Sequence, residues 1–251
     1  MKDFRLCDNT NLECVLGLCK KYDLGIEVQS FHDPYILEKE PDLMEKHVDC
    51  MKELSNPKSL HAPFWELNMG SKMHGVVDET IKMYAFAYEI AIKLNCKEVV
   101  VHNGYFPNAY SETGWIKRAA EQWRNFLSEK KEICFYIENQ FELSADVSCR
   151  LIDEADMDNL KICLDVGHAN VFSTEPVTEW IKGASDRIGY VHLHNNNGKS
   201  DLHNGLEDGT IPIKEVIDHL ERYAPDTVLC IETQIPELEK SYLFLKSVLE
   251  G

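Results

Sequence analysis

The feature that most constrains this chain is an eightfold alternation of short apolar runs with longer amphipathic ones. Strand-like runs fall at 3–7, 24–30, 59–63, 98–102, 133–139, 160–165, 187–192 and 227–232, with helical patterns at 11–22, 41–54, 76–94, 113–129, 144–155, 176–183, 212–223 and 236–249. In 76–94, Val77, Ile81, Tyr84, Tyr88 and Ile92 recur at spacings of three and four, and Ile116, Ala120, Trp123 and Leu127 repeat the pattern in the next helix. Pro41, Pro176, Pro212 and Pro236 stand at or near helix starts, where the missing N–H has no intrahelical partner to lose. Runs such as VVVH, ICLD and VLCIE are continuously apolar, as strands of a parallel sheet covered on both faces are. Eight βα units in 251 residues predict one α/β domain over residues 1–251, a closed (β/α)8 TIM barrel. An open doubly wound sheet is the other arrangement.

Composition narrows the functional classes. A net charge of −17 disfavours nonspecific binding to nucleic acid or anionic membrane. No run of eighteen apolar residues is present, so no membrane span is expected, and MKDFRLCDNTN lacks the apolar core of a signal peptide. The nine cysteines are scattered without a CxxC pair, and Cys134, Cys163 and Cys230 lie inside predicted strands. They read as reduced thiols of a cytoplasmic protein.

The chemistry sits where strands end. Active sites of such barrels lie at the C-terminal ends of the strands. There the chain places His61, His102, Glu138, Asp165, His168, His192 and Glu232, and the loop after strand seven adds Asp201 and His203. A single histidine at a strand end is usually part of a loop network. Three carboxylates facing one another near a barrel axis are another matter, because burying like charges is costly unless a cation pairs them. No Lys or Arg stands at these strand ends, so a divalent metal is the simplest counter-charge. His47, His74 and His219 fall on or beside helical segments and read as surface residues. His32 and His194 lie at the active face, but His194 alternates with His192 and is expected to point away from the axis.

LHAPFWELN, VVHNGY, IENQ, LDVGHAN, HLHNNNGKSDLH and IET, in that order, together resemble the xylose isomerase-like superfamily, which includes endonuclease IV and many sugar isomerases and epimerases. The resemblance covers nearly the whole chain and implies one of two sites. The isomerase and epimerase pattern implies one divalent metal (Mn, Co or Mg, or zinc) on Glu138, Asp165, His192 and Glu232. Glu138 and Glu232 would then be base and acid in proton transfer through an enediolate. The endonuclease IV pattern implies three zinc ions, with Glu138 bridging two and with His61, His102, His168, Asp201 and His203 as further ligands.

The rim loops weigh between these. In 30–40, 64–75, 103–112, 139–143, 169–175, 195–211 and 233–235 the basic side chains are Lys39, Lys72 and Lys199. A duplex-binding face needs several phosphate contacts, mostly from Lys and Arg. The same loops carry Phe64, Trp65, Tyr105, Phe106, Phe141 and Phe172, which either pack on a sugar ring or roof the barrel mouth. The expectation is a metal-dependent isomerase or epimerase of a small sugar or sugar phosphate, with Trp65, Tyr105 and Lys199 as candidate substrate contacts. The alternative is a trinuclear zinc phosphodiesterase acting on abasic DNA or a small phosphoester. A non-catalytic sugar-binding barrel has no feature in its favour, since both acid/base carboxylates are present.

Overall fold

The eight apolar runs are the strands of a closed barrel. In the computed structural model, which describes residues 3–250, they run parallel in chain order, and β8 pairs with β1. The strands are β1 (Phe4–Cys7), β2 (Gly25–Val28), β3 (Lys58–His61), β4 (Glu98–His102), β5 (Cys134–Glu138), β6 (Leu160–Asp165), β7 (Ile188–Leu193) and β8 (Val228–Ile231). The doubly wound alternative is excluded by the β1–β8 pairing.

Alternate strand residues divide two cores. Leu6, Val99, Val101, Phe135, Ile137 and Leu164 point outward and pack under the helices. Cys7, Val100, Tyr136, Cys163, Tyr190, Val228 and Cys230 fill the barrel interior. Near the N-terminal end of the strands, buried Arg5 pairs with Asp3 and Glu98. At the C-terminal end the inward positions are acids and histidines. Register sets neighbours there: His102 lies opposite Glu138 across β4 and β5, and Asp165 lies opposite His192 across β6 and β7.

The outer layer is α1 (Leu12–Tyr22), α2 (Ile36–Lys39), α3 (Leu43–Lys52), α4 (His74–Leu94), α5 (Glu112–Leu127), α6 (Asp146–Ala155), α7 (Val166–Phe172), α8 (Val177–Ala184), α9 (Ile213–Tyr223) and α10 (Ile235–Glu250). Two of these differ from the sequence reading. The short α2 lies inside the expected loop 30–40. α7 begins directly after β6, so His168 is helical and much of the expected loop 169–175 is not loop. In α4 the buried face is also turned from the expected stripe. It runs through Val77, Thr80, Met83, Tyr84, Ala87, Ile90, Ala91 and Leu94, while Ile92 is exposed. Ala87 and Ala91 lie in that face beside the equally buried Tyr84, Ile90 and Leu94.

His47 is not a surface residue. It is 3% exposed, with its ring 4.9 Å from that of Phe31 and Nδ1 2.9 Å from the Leu43 carbonyl. Burial lowers its pKa, which favours the neutral ring.

The loop after β3 carries Phe64 and Trp65 to the rim and is tied down by one side chain. Asn68 accepts hydrogen bonds from Trp115 Nε1 (2.9 Å) and Gly70 N (2.8 Å), and its amide donates to the Gly104 carbonyl (2.7 Å). Asn68→Ala leaves these buried groups without partners and is expected to cost roughly 3 kcal/mol. For a chain of this size that lowers the melting temperature by about 6–12 °C, read by calorimetry. An unchanged melting temperature would contradict the assignment.

Candidate active site

The inward residues at the C-terminal rim form three donor clusters that share members. In the first, His61 Nε2 is 3.1 Å and His102 Nε2 3.5 Å from Glu138 Oε2. In the second, His192 Nδ1 faces Glu232 Oε2 at 3.2 Å, Glu138 Oε2 at 3.5 Å and Asp165 Oδ2 at 3.8 Å. In the third, Asp201 Oδ2 lies 3.0 Å from His203 Nε2 and 3.3 Å from His168 Nε2. Glu138 belongs to the first two, and its Oε1 is 3.2 Å from His168 Nδ1, which leads to the third.

Each of four imidazoles has one nitrogen on a backbone carbonyl or on Glu27, and in His168 that nitrogen also faces Glu138 Oε1. His61 Nδ1 donates to the Ala62 carbonyl (2.9 Å), His168 Nδ1 to the Asn139 carbonyl (3.0 Å) and His203 Nδ1 to the Glu232 carbonyl (2.9 Å). His192 Nε2 lies 3.0 and 3.1 Å from the two carboxylate oxygens of Glu27. The other nitrogen of each ring then faces carboxylate oxygens. Such outer bonds orient histidines toward a metal. Local backbone geometry contributes too: Asp165 caps α7 by accepting from His168 N at 2.6 Å, and His203 sits at φ 49°, in the left-handed region.

Charges follow from this crowding. Burial pushes the Glu138 carboxyl upward, but His102, His192 and His168 together outweigh it and hold it well below the usual carboxylate range. Burial acts on Asp165 in the same sense, and His168 and His194 bring it down to about 2. Burial lowers His192 and His168, yet the surrounding anions leave both well above the ordinary value; His203, beside Asp201 and Glu232, rises to about 10. His102 is the exception. Burial takes it down to about 3, so it is a neutral donor.

The donor set fits a divalent cation. His192 Nδ1 and His102 Nδ1 are buried without a hydrogen-bond partner, and His192 Nδ1 is aimed at three carboxylates. Glu138, Asp165 and His192 are all within 1% of full burial, where an excess of negative charge is costly.

The rim opens into a cavity of about 500 Å³. Its walls include Asn9, Thr10, Gln29, Gln140 and Gln234, with Phe64 and Trp65 at the side, and among the described residues no Lys or Arg lines it.

Comparison with known proteins agrees with this architecture. The model of the family described as xylose isomerase-like TIM barrel matches residues 8–248. This chain belongs to that family. The uncharacterized protein MJ1311 of Methanocaldococcus jannaschii is 31% identical over 226 residues, covering 83% of this chain and 76% of the relative. Among solved structures, the TTHB071 protein from Thermus thermophilus, soaked with zinc chloride, is 26% identical with a TM-score of 0.81, covering 99% of each chain. A D-tagatose 3-epimerase-like protein has a TM-score of 0.82 at 24% identity, covering 100% of this chain and 97% of its own.

In this xylose isomerase-like barrel, the nine expected ligands come together at one rim, and Trp65 lines the cavity at 66% exposure. The other two expected substrate contacts do not. Tyr105 is 4% exposed and packs on Trp115, with ring centroids 5.1 Å apart; its phenol belongs to the core. Lys199 is exposed on the loop after β7 and is not part of the cavity wall.

His194 also departs from expectation. It is fully buried, its Nε2 is 3.1 Å from Asp165 Oδ1, and its ring stacks on His203 at 3.9 Å. Strand alternation does not extend to it, because β7 ends at Leu193 and the chain has left the strand. Glu27 and Gln29 are site residues that the sequence reading does not pick out. Glu27 is a charge inside the run GIEVQS, which was the available signal. Gln29 donates to Glu232 and lies 3.4 Å from Glu27 Oε1.

The His194 ring lies where a side chain on residue 167 would be. A Cβ on Gly167 would sit 1.9 Å from His194 Cε1. Gly167→Ala is therefore expected to cost about 1–3 kcal/mol in calorimetry and to detach His194 from Asp165. Gly17→Ala is the control, since a Cβ there meets nothing within 4 Å and helical Ala is favoured over Gly. Equal stability of the two variants would refute this packing of His194.

Proposed function

We propose that this barrel is a divalent-metal-dependent isomerase or epimerase of a small sugar. The observation that carries the reading is the pairing of Glu138 and Glu232 on His192 Nδ1, at 3.5 and 3.2 Å, beneath a cavity of about 500 Å³ whose upper walls carry amides and aromatic rings. Asp165 and His192 complete the ligand set. A bound cation supplies Lewis acidity to a sugar carbonyl and its neighbouring hydroxyl.

The protein's own groups do the rest. One carboxylate takes the proton from the carbon bearing the hydroxyl, and the resulting enediolate is reprotonated. Return to the adjacent carbon is isomerisation, and return to the opposite face of the same carbon is epimerisation. Gln29 donates to Glu232 and so orients its carboxylate. The side chain of Glu232 is 12% exposed, whereas that of Glu138 is 2% exposed. Asn9, Thr10, Gln140 and Gln234 offer hydrogen bonds suited to hydroxyls, and Trp65 offers a ring face. The sugar 3-epimerase names of several structural neighbours point the same way, including an L-ribulose 3-epimerase with a TM-score of 0.82.

Glu232→Gln is expected to lower kcat by at least about 100-fold, with KM changed by less than about threefold, in ketose and aldose assays. Normal turnover in that variant would refute the assignment.

A second reading rests on the five additional donors. His61, His102, His168, Asp201 and His203 complete a nine-ligand set that would hold three zinc ions and support phosphoester hydrolysis. Among the described residues no Lys or Arg lines the cavity wall, which favours a small phosphoester over duplex DNA in that case. Elemental mass spectrometry separates the readings. One ion per chain, lost to chelator together with sugar turnover, is the expected result. Three zinc ions with cleavage of phosphodiesters, abasic DNA included, would overturn the isomerase reading.

A further inference from the structure

We propose that Glu27 is a positioning residue that fixes His192 as an Nδ1 donor toward the bound cation. The inference rests on the metal reading above and adds a residue outside the nine ligands.

Glu27 lies in β2, fully buried, on the inner side of the barrel. Its two carboxylate oxygens lie 3.0 and 3.1 Å from His192 Nε2. With the proton on Nε2, that nitrogen donates to Glu27 and Nδ1 presents its lone pair to the space between Glu138, Asp165 and Glu232. The opposite tautomer would set a lone pair against both Glu27 oxygens in a buried site, which is repulsive. Glu27 therefore selects which nitrogen is free, and its negative charge makes that nitrogen a better donor.

The carboxylate is itself held. Gln29 Nε2 lies 3.4 Å from Glu27 Oε1 and also donates to Glu232, so one amide joins the positioning residue to a ligand carboxylate. Beneath, the Tyr190 hydroxyl bears on Glu27 and lies 2.7 Å from Ser59 Oγ. Ser59, Tyr190, Glu27 and His192 make a buried chain from the barrel interior to the ligand set.

The test compares zinc binding by the unsubstituted chain and Glu27→Gln, each stripped with chelator and titrated against a competing chelator. The variant keeps the side-chain shape and removes the charge. It is expected to bind zinc at the His192 site about 10- to 100-fold more weakly. Metal-free melting temperature should change little, which separates positioning from general destabilisation. A second measurement needs no substitution. In the zinc-loaded unsubstituted chain, the imidazole 15N spectrum of His192 should show the proton on Nε2 and the metal on Nδ1. Zinc affinity within twofold of the unsubstituted chain, or a proton on Nδ1, would overturn the proposal. If Glu27→Gln does not fold, the spectrum alone decides. Failure of the unsubstituted chain to bind zinc would instead remove the metal reading and this inference together. Equal zinc binding by both chains would remove only the role of Glu27.

Discussion

One imidazole surrounded by four carboxylates is the constraint on which this structure turns. His192 Nδ1 faces Glu138, Asp165 and Glu232, and its Nε2 faces Glu27. Four anions and one ring cannot be neutral by themselves, even if the ring is protonated. In the metal-free chain the balance comes from protons, which is why His61, His168, His192 and His203 all sit above their ordinary pKa. In the proposed metal-bound form, a divalent cation would replace those protons with a single concentrated charge and use the nitrogens that the outer hydrogen bonds leave bare. The closed barrel holds Glu27, Glu138, Asp165 and His192 at this spacing, since each stands on a strand hydrogen-bonded to a neighbour on either side.

The fold was legible because its signal is repeated eight times, so an error at one boundary does not change the answer. The cluster of acids and histidines at the rim was legible because such residues are conspicuous at the ends of apolar strands. What escaped were features decided by tertiary space. α7 is too short to show a helical period and follows β6 without a connecting loop. Strand parity turns His194 away from the axis, but its position depends on the room left by Gly167. Tyr105 has the look of a rim aromatic, yet the loop after β4 folds its ring onto Trp115. His47 stands in the polar-looking segment LMEKHVDCMK, and its burial depends on Phe31, which folds back from the loop between β2 and α2.

Glu27 is the instructive miss. In β2 the neighbouring Ile26 and Val28 belong to the outer core, so parity alone sends Glu27 inward. A carboxylate sent into a barrel interior needs a counter-charge or a donor. That requirement could have been written from GIEVQS, but not the partner. His192 is 165 residues away, and only closure of the barrel brings β2 across from β7.

The same geometry explains why the ligand count does not by itself decide the chemistry. Glu138 lies between the cluster of His61 and His102 and the cluster of Asp165, His192 and Glu232, and the Asp201 cluster is reached through His168. A cation in the central cluster leaves the flanking imidazoles facing the cavity, where neutral His102 can meet a hydroxyl as readily as a metal. Selection then passes to the walls. Amides and an exposed indole would suit hydroxyls and a ring face, and among the described residues no Lys or Arg stands on the wall to meet a phosphate. On those grounds the proposed sugar reading rests on the walls and not on the number of donors.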